Sequence, residues 1–217
     1  MPKNTTGQNP SSGEAETILE LLSVISTEES HTQRGLASRL GVALGLTNAL
    51  VKRAARKGLI KIKNAPARRY AYYLTPEGFS EKSRLVSSYL HSSLDFFRLA
   101  RGQYENVFDG CAKRGWKKIA LVGSGELAEI ALLVANSSGT ALAGIIDSET
   151  NESHFCGIKV FRSLEEIGEV DALVLTDMRA PQQVFDSLSK SFPQDRIITP
   201  EILHISRSSP VDGGDAS

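Results

Sequence analysis

The stretch QRGLASRLGVALGLTNALVKRAARKGLI, from Gln33 to Ile60, decides the fold of the first half of the chain. Leu36 and Leu40 stand four apart and share one helix face, and Ala37 is small where two helices must approach closely. Thr32, just before, is suited to cap that helix with its hydroxyl. Gly41 is expected to close it, because the residue after a helix end often needs positive φ. Val42 then plugs the turn into the core. A further helix is predicted through Lys57, with Leu46, Leu50 and Ala54 inward and Gly58 at its end. Thr47 stands where an aliphatic residue would be more usual.

Working outward, Glu14 to Ser26 predicts a helix with Ile18, Leu21, Leu22 and Ile25 on one face. Downstream, LIKIKN reads as a short strand, APARRY as a basic loop and AYYLT as a returning strand. The hairpin would carry Lys61, Lys63, Arg68 and Arg69. Between Ser30 and Pro76 stand ten Lys and Arg residues and no acid. A solvated face normally mixes both signs, so this segment points to a polyanion. Thr75-Pro76 then opens a long helix, with proline at the first helical position, where its missing N–H costs nothing.

The spacing of Leu36-Ala37-x-x-Leu40-Gly41-Val42 resembles a helix-turn-helix. With Lys57-Gly58-Leu59-Ile60 and Leu74-Thr75-Pro76-x-Gly78, residues 14–110 resemble the MarR-type winged-helix transcriptional regulators, most of all those associated with exopolysaccharide gene clusters. That resemblance implies a DNA-binding domain over 14–75 and double-stranded DNA as partner. A recognition helix enters the major groove by its N-terminal residues, here Leu44, Gly45, Asn48, Ala49 and Lys52. Asn48 is the best base reader, because an amide can bond adenine bidentately; a solvated helix surface is its other reading. Lys52, Arg53 and the wing cations Lys61, Lys63, Arg68 and Arg69 suit phosphate, which sets affinity rather than sequence. Thr32 and Gln33 complete the candidate DNA-contacting set.

Residues 76–114 predict one helix whose Leu90, Leu94, Phe97, Ala100, Tyr104, Val107 and Cys111 recur at three and four. That pattern suits a seam between two copies, a homodimer, or packing against the chain's own domains.

After Gly115 the period changes. Apolar runs at 118–122, 142–147, 158–161, 172–176 and 196–199 alternate with helical stretches, which predicts a parallel sheet covered by helices over 115–207. Gly123-Ser124-Gly125-Glu126-Leu127-Ala128 follows a strand and opens a helix, and Asp147 ends the next strand. These residues resemble the Rossmann fingerprint, in which the turn takes a pyrophosphate and the acid takes ribose hydroxyls. Glu126 and Glu129 put two carboxylates where a pyrophosphate wants positive potential. A Rossmann-like domain without nucleotide, and Asp147 as a strand-end cap, therefore stay open. Thr176, Asp177 and Arg179 end the fourth strand, to shape a pocket or to hold a loop. A winged helix followed by such a domain is similar in architecture to the Rex-type repressors, which implies NAD(H); the second half is equally similar to nucleotide-sugar-sensing or CoA-binding domains. The candidate ligand set is Gly123, Ser124, Gly125, Glu126, Leu127, Asp147, Thr176 and Asp177.

Composition bounds the rest. The chain has 217 residues, 25 Lys and Arg, and 25 Asp and Glu. The balance hides a split: residues 1–118 hold 19 basic and 10 acidic residues, and 119–217 hold 6 and 15. Two modules with different partners follow. No apolar run reaches the roughly 18 residues of a membrane helix, and Met1 to Gly13 lacks the apolar core of a signal peptide. That segment and residues 208–217 read as disordered tails, and a cytoplasmic protein is expected. Two cysteines exclude a disulfide scaffold, and His154-Phe155-Cys156 offers too few ligands for a metal. No acid–base pair is placed for catalysis. The reading is a two-domain α/β transcriptional regulator, not an enzyme. The rivals are a small NAD- or nucleotide-sugar-dependent enzyme whose winged helix mediates protein contacts, and a scaffold without ligand.

Overall fold

The computed structural model describes residues 12–27, 30–65 and 69–207. Nearly all of both expected tails, and Arg68 of the expected wing, lie outside the described residues. The chain divides into two units, Met1–Leu94 and Asp95–Ser217.

In the first unit, α1 (Ser12–Thr27), α2 (Gln33–Arg39) and α3 (Leu44–Arg56) turn their apolar faces into one core. Ile18, Leu21, Leu22 and Ile25 of α1 meet Leu36 and Leu40 of α2 and Leu50, Val51 and Ala54 of α3. The Thr32 hydroxyl caps α2, accepting from the Gly35 N–H at 3.0 Å. Gly41 (φ +60°) makes the turn into α3, and Val42 packs half-buried on the core. The inward face of α3 differs from the expectation. Leu46 is 50% exposed, and Thr47 is fully buried. Thr47 tolerates burial because its hydroxyl donates to the Ala43 carbonyl one turn back, at 3.2 Å. With 47, 50, 51 and 54 inward, Leu46 lies about 100° off that face.

The hairpin pairs β2 (Ile60–Ala65) antiparallel to β3 (Arg69–Leu74), with Ile60 opposite Leu74 and Ala65 opposite Arg69. Both strands run further than the sequence pattern implied. A two-residue strand, β1 (Ser30–His31), adds to the other edge of β3. At the foot of the wing, Thr75 fixes where the sheet ends and the next helix begins. Its hydroxyl reaches the Gly58 and Leu59 carbonyls at 2.5 and 3.2 Å, and its oxygen accepts from the Gly78 N–H at 3.0 Å. A Cβ on Gly78 would stand 2.0 Å from the Leu59 carbonyl oxygen, so only glycine fits there. The Thr75-Pro76-x-Gly78 motif is thus a junction built on close backbone approach.

The helix it opens, α4 (Pro76–Lys113), has 38 residues and contributes to both units. Its apolar residues have two fates, which corrects the expectation of one continuous seam. Ala100, Tyr104 and Cys111 are buried in the chain's own second core, and Phe97 and Val107 pack against it. Val86, Leu90 and Leu94 stay exposed. Burial pushes the Cys111 thiol up to about 11, against a smaller opposing pull from Arg114.

The second unit is a mostly parallel sheet. Its strands are β4 (Ile119–Val122), β5 (Leu142–Ile146), β6 (His154–Phe155), β7 (Ile158–Phe161), β8 (Ala172–Leu175) and β9 (Ile197–Ile198). They lie in the order β6-β7-β5-β4-β8-β9, and only the short β6 runs antiparallel to its neighbour. The alternation along strands separates two layers. Ile119, Leu121, Ile145 and Val174 face α4 and α5 (Glu126–Ser138). Ala120, Val122, Ile146, Leu173 and Leu175 face α6 (Leu164–Ile167) and α7 (Pro181–Leu188). Tyr104 is wholly buried, and its hydroxyl donates to the Leu175 carbonyl at 3.0 Å. His154 and Cys156, weighed as metal-ligand types, form β6 and its turn into β7, where Cys156 is exposed with φ +48°.

Replacing Thr75 by Val removes the hydroxyl, leaving the buried Gly78 N–H without its acceptor and the Gly58 carbonyl without its donor. The first unit should lose about 1–3 kcal/mol of stability, read from the urea midpoint at unchanged m-value. An unaltered midpoint would refute the junction.

Candidate functional site

Two surfaces carry the candidate chemistry, one in each unit. In the first, α3 presents Leu44, Gly45, Ala49 and Lys52 to solvent. Asn48 is half-buried, and its Oδ1 is sheltered without a hydrogen-bond partner. Arg53 is ion-paired with Glu14 of α1, which diverts it from phosphate. Lys61 and Lys63 stand exposed on β2, with the Lys63 ammonium 5.6 Å from the Tyr73 ring centroid. Arg69 begins β3. Gln33 is half-buried at the first position of α2, and the Thr32 side chain is spent on its cap. Arg56 is exposed in the last turn of α3, a cation that the motif reading passed over because it lies far from the helix start.

In the second unit a cleft of about 300 Å³ opens where β4, β5 and β8 end. Gly123, Asp147 and Asp177 line it, as the sequence suggested. So do Glu149, Arg162, Ser163 and Arg179, with an apolar floor from Val122, Ile146, Leu164, Val184 and Leu188. Glu149, Arg162 and Ser163 were missed, because they fall in loops without a repeating pattern. Other members of the candidate set do not line it. Leu127 is core. Thr176 is a stitch, its hydroxyl lying 2.9 and 2.6 Å from the Val122 and Gly123 carbonyls. Gly125 caps α5, and Glu126 and Glu129 point into solvent.

The carboxylates of the cleft are paired. Asp147 is 4% exposed, and its Oδ2 accepts from the Ser124 N–H at 2.9 Å and the Ser124 hydroxyl at 2.6 Å. Its Oδ1 takes the Glu149 N–H at 2.9 Å. Asp177, 5% exposed, accepts from the backbone N–H groups of Arg179 and Ala180 and from the Arg179 guanidinium. Arg179 also reaches Asp147 at 2.9 Å and Glu149 at 3.0 Å. Gly123 (φ +100°) lies against the Asp177 backbone, where a Cβ would come within 2.7 Å. Burial pushes the Asp147 carboxyl up, but the Ser124 and Glu149 hydrogen bonds and the Arg179 charge outweigh it, leaving the group below its ordinary range. Among the described residues, no group of three or more His, Cys, Asp or Glu could hold a metal ion. Nor is any described helix long and apolar enough to cross a membrane.

Residues 14–61 match the family model for winged helix-turn-helix DNA-binding domains. The N-terminal unit is a winged helix-turn-helix. The chain is similar to MepR, a transcription regulator of the Staphylococcus aureus multidrug efflux pump MepA, at 19% identity and a TM-score of 0.35 over 41% of this chain and 64% of that one. It is also similar to the PcaV transcriptional regulator of Streptomyces coelicolor, at 24% identity and a TM-score of 0.38 over 45% and 74%. A third likeness is to MarR from E. coli in its oxidised form, at 28% identity and a TM-score of 0.31 over 36% and 58%. The chain thus spans less than two thirds of the length of MepR and of MarR. No curated protein matches.

A depressed carboxyl stabilises the fold above the ordinary carboxylate range, and that stability is lost as pH falls through its folded-state value. Ser124→Ala removes one donor and lets the Asp147 value rise, so the loss begins at higher pH. The acid-unfolding midpoint of the second unit should move upward, followed by circular dichroism; no movement would show that the hydroxyl does not hold the carboxylate.

Proposed function

We propose that the chain is a sequence-specific, double-stranded-DNA-binding transcriptional regulator whose C-terminal unit senses a nucleotide or a nucleotide sugar. The observation that carries the reading is the cationic surface of the segment between Ser30 and Pro76, which holds no acid, with Lys52, Arg56, Lys61 and Lys63 exposed on α3 and β2. Backbone phosphates are the polyanion such a helix and wing fit. Asn48, half-buried on α3, is the base-reading side chain in this reading, and its sheltered Oδ1 must turn outward to meet a base edge.

The strand order of the second unit supports the sensing half. Numbered within the unit, the parallel strands run 3-2-1-4-5, with the reversal at β4. That is the order of a Rossmann-like domain, and such sheets bind ligands at the strand ends beside the reversal. The cleft lies there, with an apolar floor for a planar base and Asp147 beside it. We read the unit as a sensor and not an enzyme, because its carboxylates bind each other's partners rather than standing ready for a substrate proton. NAD(H) and nucleotide sugars both suit the site. The resemblance to exopolysaccharide-associated regulators favours a nucleotide sugar and polysaccharide-related genes.

A regulator that reads a two-fold operator needs two copies. The exposed Val86, Leu90 and Leu94 of α4 are the surface we assign to a homodimer. Ligand would alter DNA binding by favouring one of two states of that dimer.

DNA affinity of the Lys61→Ala/Lys63→Ala double variant should fall for all duplexes alike. The slope of log K against log salt should flatten by up to about 1.8, roughly 0.9 per lost phosphate contact, as read by fluorescence anisotropy. An unchanged slope removes the wing from the interface, and salt-independent binding by the parent chain overturns the DNA reading. Leu90→Glu/Leu94→Glu should halve the mass seen by light scattering; a parent chain that is already monomeric rejects the dimer.

A further inference from the structure

One side chain lining the cleft of the second unit ties its two strand ends together. Arg179 leaves the β8–α7 loop and joins three carboxylates that come from two strand ends. Its contacts are not equal. The guanidinium holds Asp177 twice, Nε at 2.9 Å and Nη2 at 2.6 Å, and the Arg179 backbone N–H donates to the same carboxylate. The hold on Asp147 is one bond, from the Nη2 already given to Asp177, at 2.9 Å. The contact with Glu149 is at the surface, where that side chain is 69% exposed, and such pairs contribute little. Arg179 itself is about half exposed, so it can turn without unpacking the core.

We infer that Arg179 is a displaceable latch on Asp147, and that the ligand which displaces it is a ribonucleotide presenting free ribose hydroxyls. This rests on the nucleotide reading of the cleft. The chemistry is an exchange of donors. Nη2 leaves Asp147 Oδ2 and keeps its shorter bond to Asp177, and a ribose O–H donates to Asp147 in its place. Asp147 stays ionised and stays bonded to Ser124 throughout, so the turn that carries the glycines is held in both states. Each buried carboxylate keeps a donor before and after, which is the condition for moving a cation from such a site at low cost. The latch sets how strongly ribose is preferred. A ligand without ribose hydroxyls leaves the guanidinium on Asp147, and a ribonucleotide only replaces one donor with another, so the latch blunts a preference that its removal widens.

Isothermal titration of the full-length chain tests this with NAD⁺, UDP-glucose, and ADP beside its 2′,3′-dideoxy analogue. The readout is the ratio of ADP to dideoxy-ADP affinity, which cancels the effect of the lost charge on the phosphates. In Arg179→Gln, whose amide is too short to bridge to Asp147, the ratio should rise by about tenfold, the scale of one hydrogen bond to a charged group. Arg179→Lys, which keeps the charge and loses the fork, should move it the same way. Asp147→Asn should bring the ratio close to that of a ligand that does not use this carboxylate. Nucleotide binding with a ratio equal in parent and Arg179 variants overturns the latch and leaves the nucleotide reading intact. Absence of heat with all probes, in chains whose thermal unfolding is intact, overturns both.

Discussion

Two carboxylates buried at the ends of β5 and β8 must find partners, and the architecture of the cleft follows from that requirement. An unpaired buried carboxylate costs several kcal/mol or is neutralised. Asp147 and Asp177 flank the end of β4, one on each neighbouring strand. Asp147 is met by Ser124, which ties the glycine turn to β5. Asp177 is met by backbone N–H groups of its own loop and by Arg179, which crosses back to Asp147. The turn after β4 is thus held from both sides, and Gly123 must be glycine because the Asp177 backbone fills the space a Cβ would need. Residues that resemble a ligand-binding fingerprint also serve the ligand-free fold.

The same economy runs through the first unit, with backbone groups in place of charges. The Gly58 and Leu59 carbonyls, just past α3, and the Gly78 N–H in the first turn of α4 converge on the Thr75 hydroxyl. The junction orients the wing, and with it Lys61 and Lys63, against the start of α4. Cations on a rigid hairpin lose less freedom on meeting phosphate than cations on a loose loop. Arg53 shows the converse: its pairing with Glu14 spends a charge on holding α1 to α3.

Much of this was legible in the sequence where one residue type has one use. Glycines at helix ends, Thr32 before α2, proline after Thr75 and the apolar runs of the buried strands each gave their element. The α3 face was misread because hydropathy ranks Leu46 above Thr47, whereas a threonine bonded to its own helix can be buried and a leucine on the outer face of a helix can be exposed. In α4 the periodicity marked a face but could not say what covers it. The stripe packs on the chain's own sheet from Phe97 onward and stays uncovered at Leu90 and Leu94. In the cleft, Asp147, Asp177 and Arg179 were visible as strand-end residues, but their mutual pairing was not, since it joins positions about 30 apart whose meeting depends on the strand order.

The strand end that carries Asp177 is also tied to α4, on the opposite face of the sheet from the cleft's apolar floor. Leu175, the last residue of β8, gives its carbonyl to the buried Tyr104, and Asp177 follows two residues later. The β8 end is therefore fixed on one side by a residue of α4 and on the other by the carboxylate that keeps Arg179. Gln103, the neighbour of Tyr104, accepts from the Ile202 N–H, so two consecutive residues of α4 are bonded to backbone of the second unit. A tyrosine hydroxyl buried without its acceptor would cost a hydrogen bond and its desolvation. A shift of the β8–α7 loop therefore either leaves Leu175 in place or moves it together with α4.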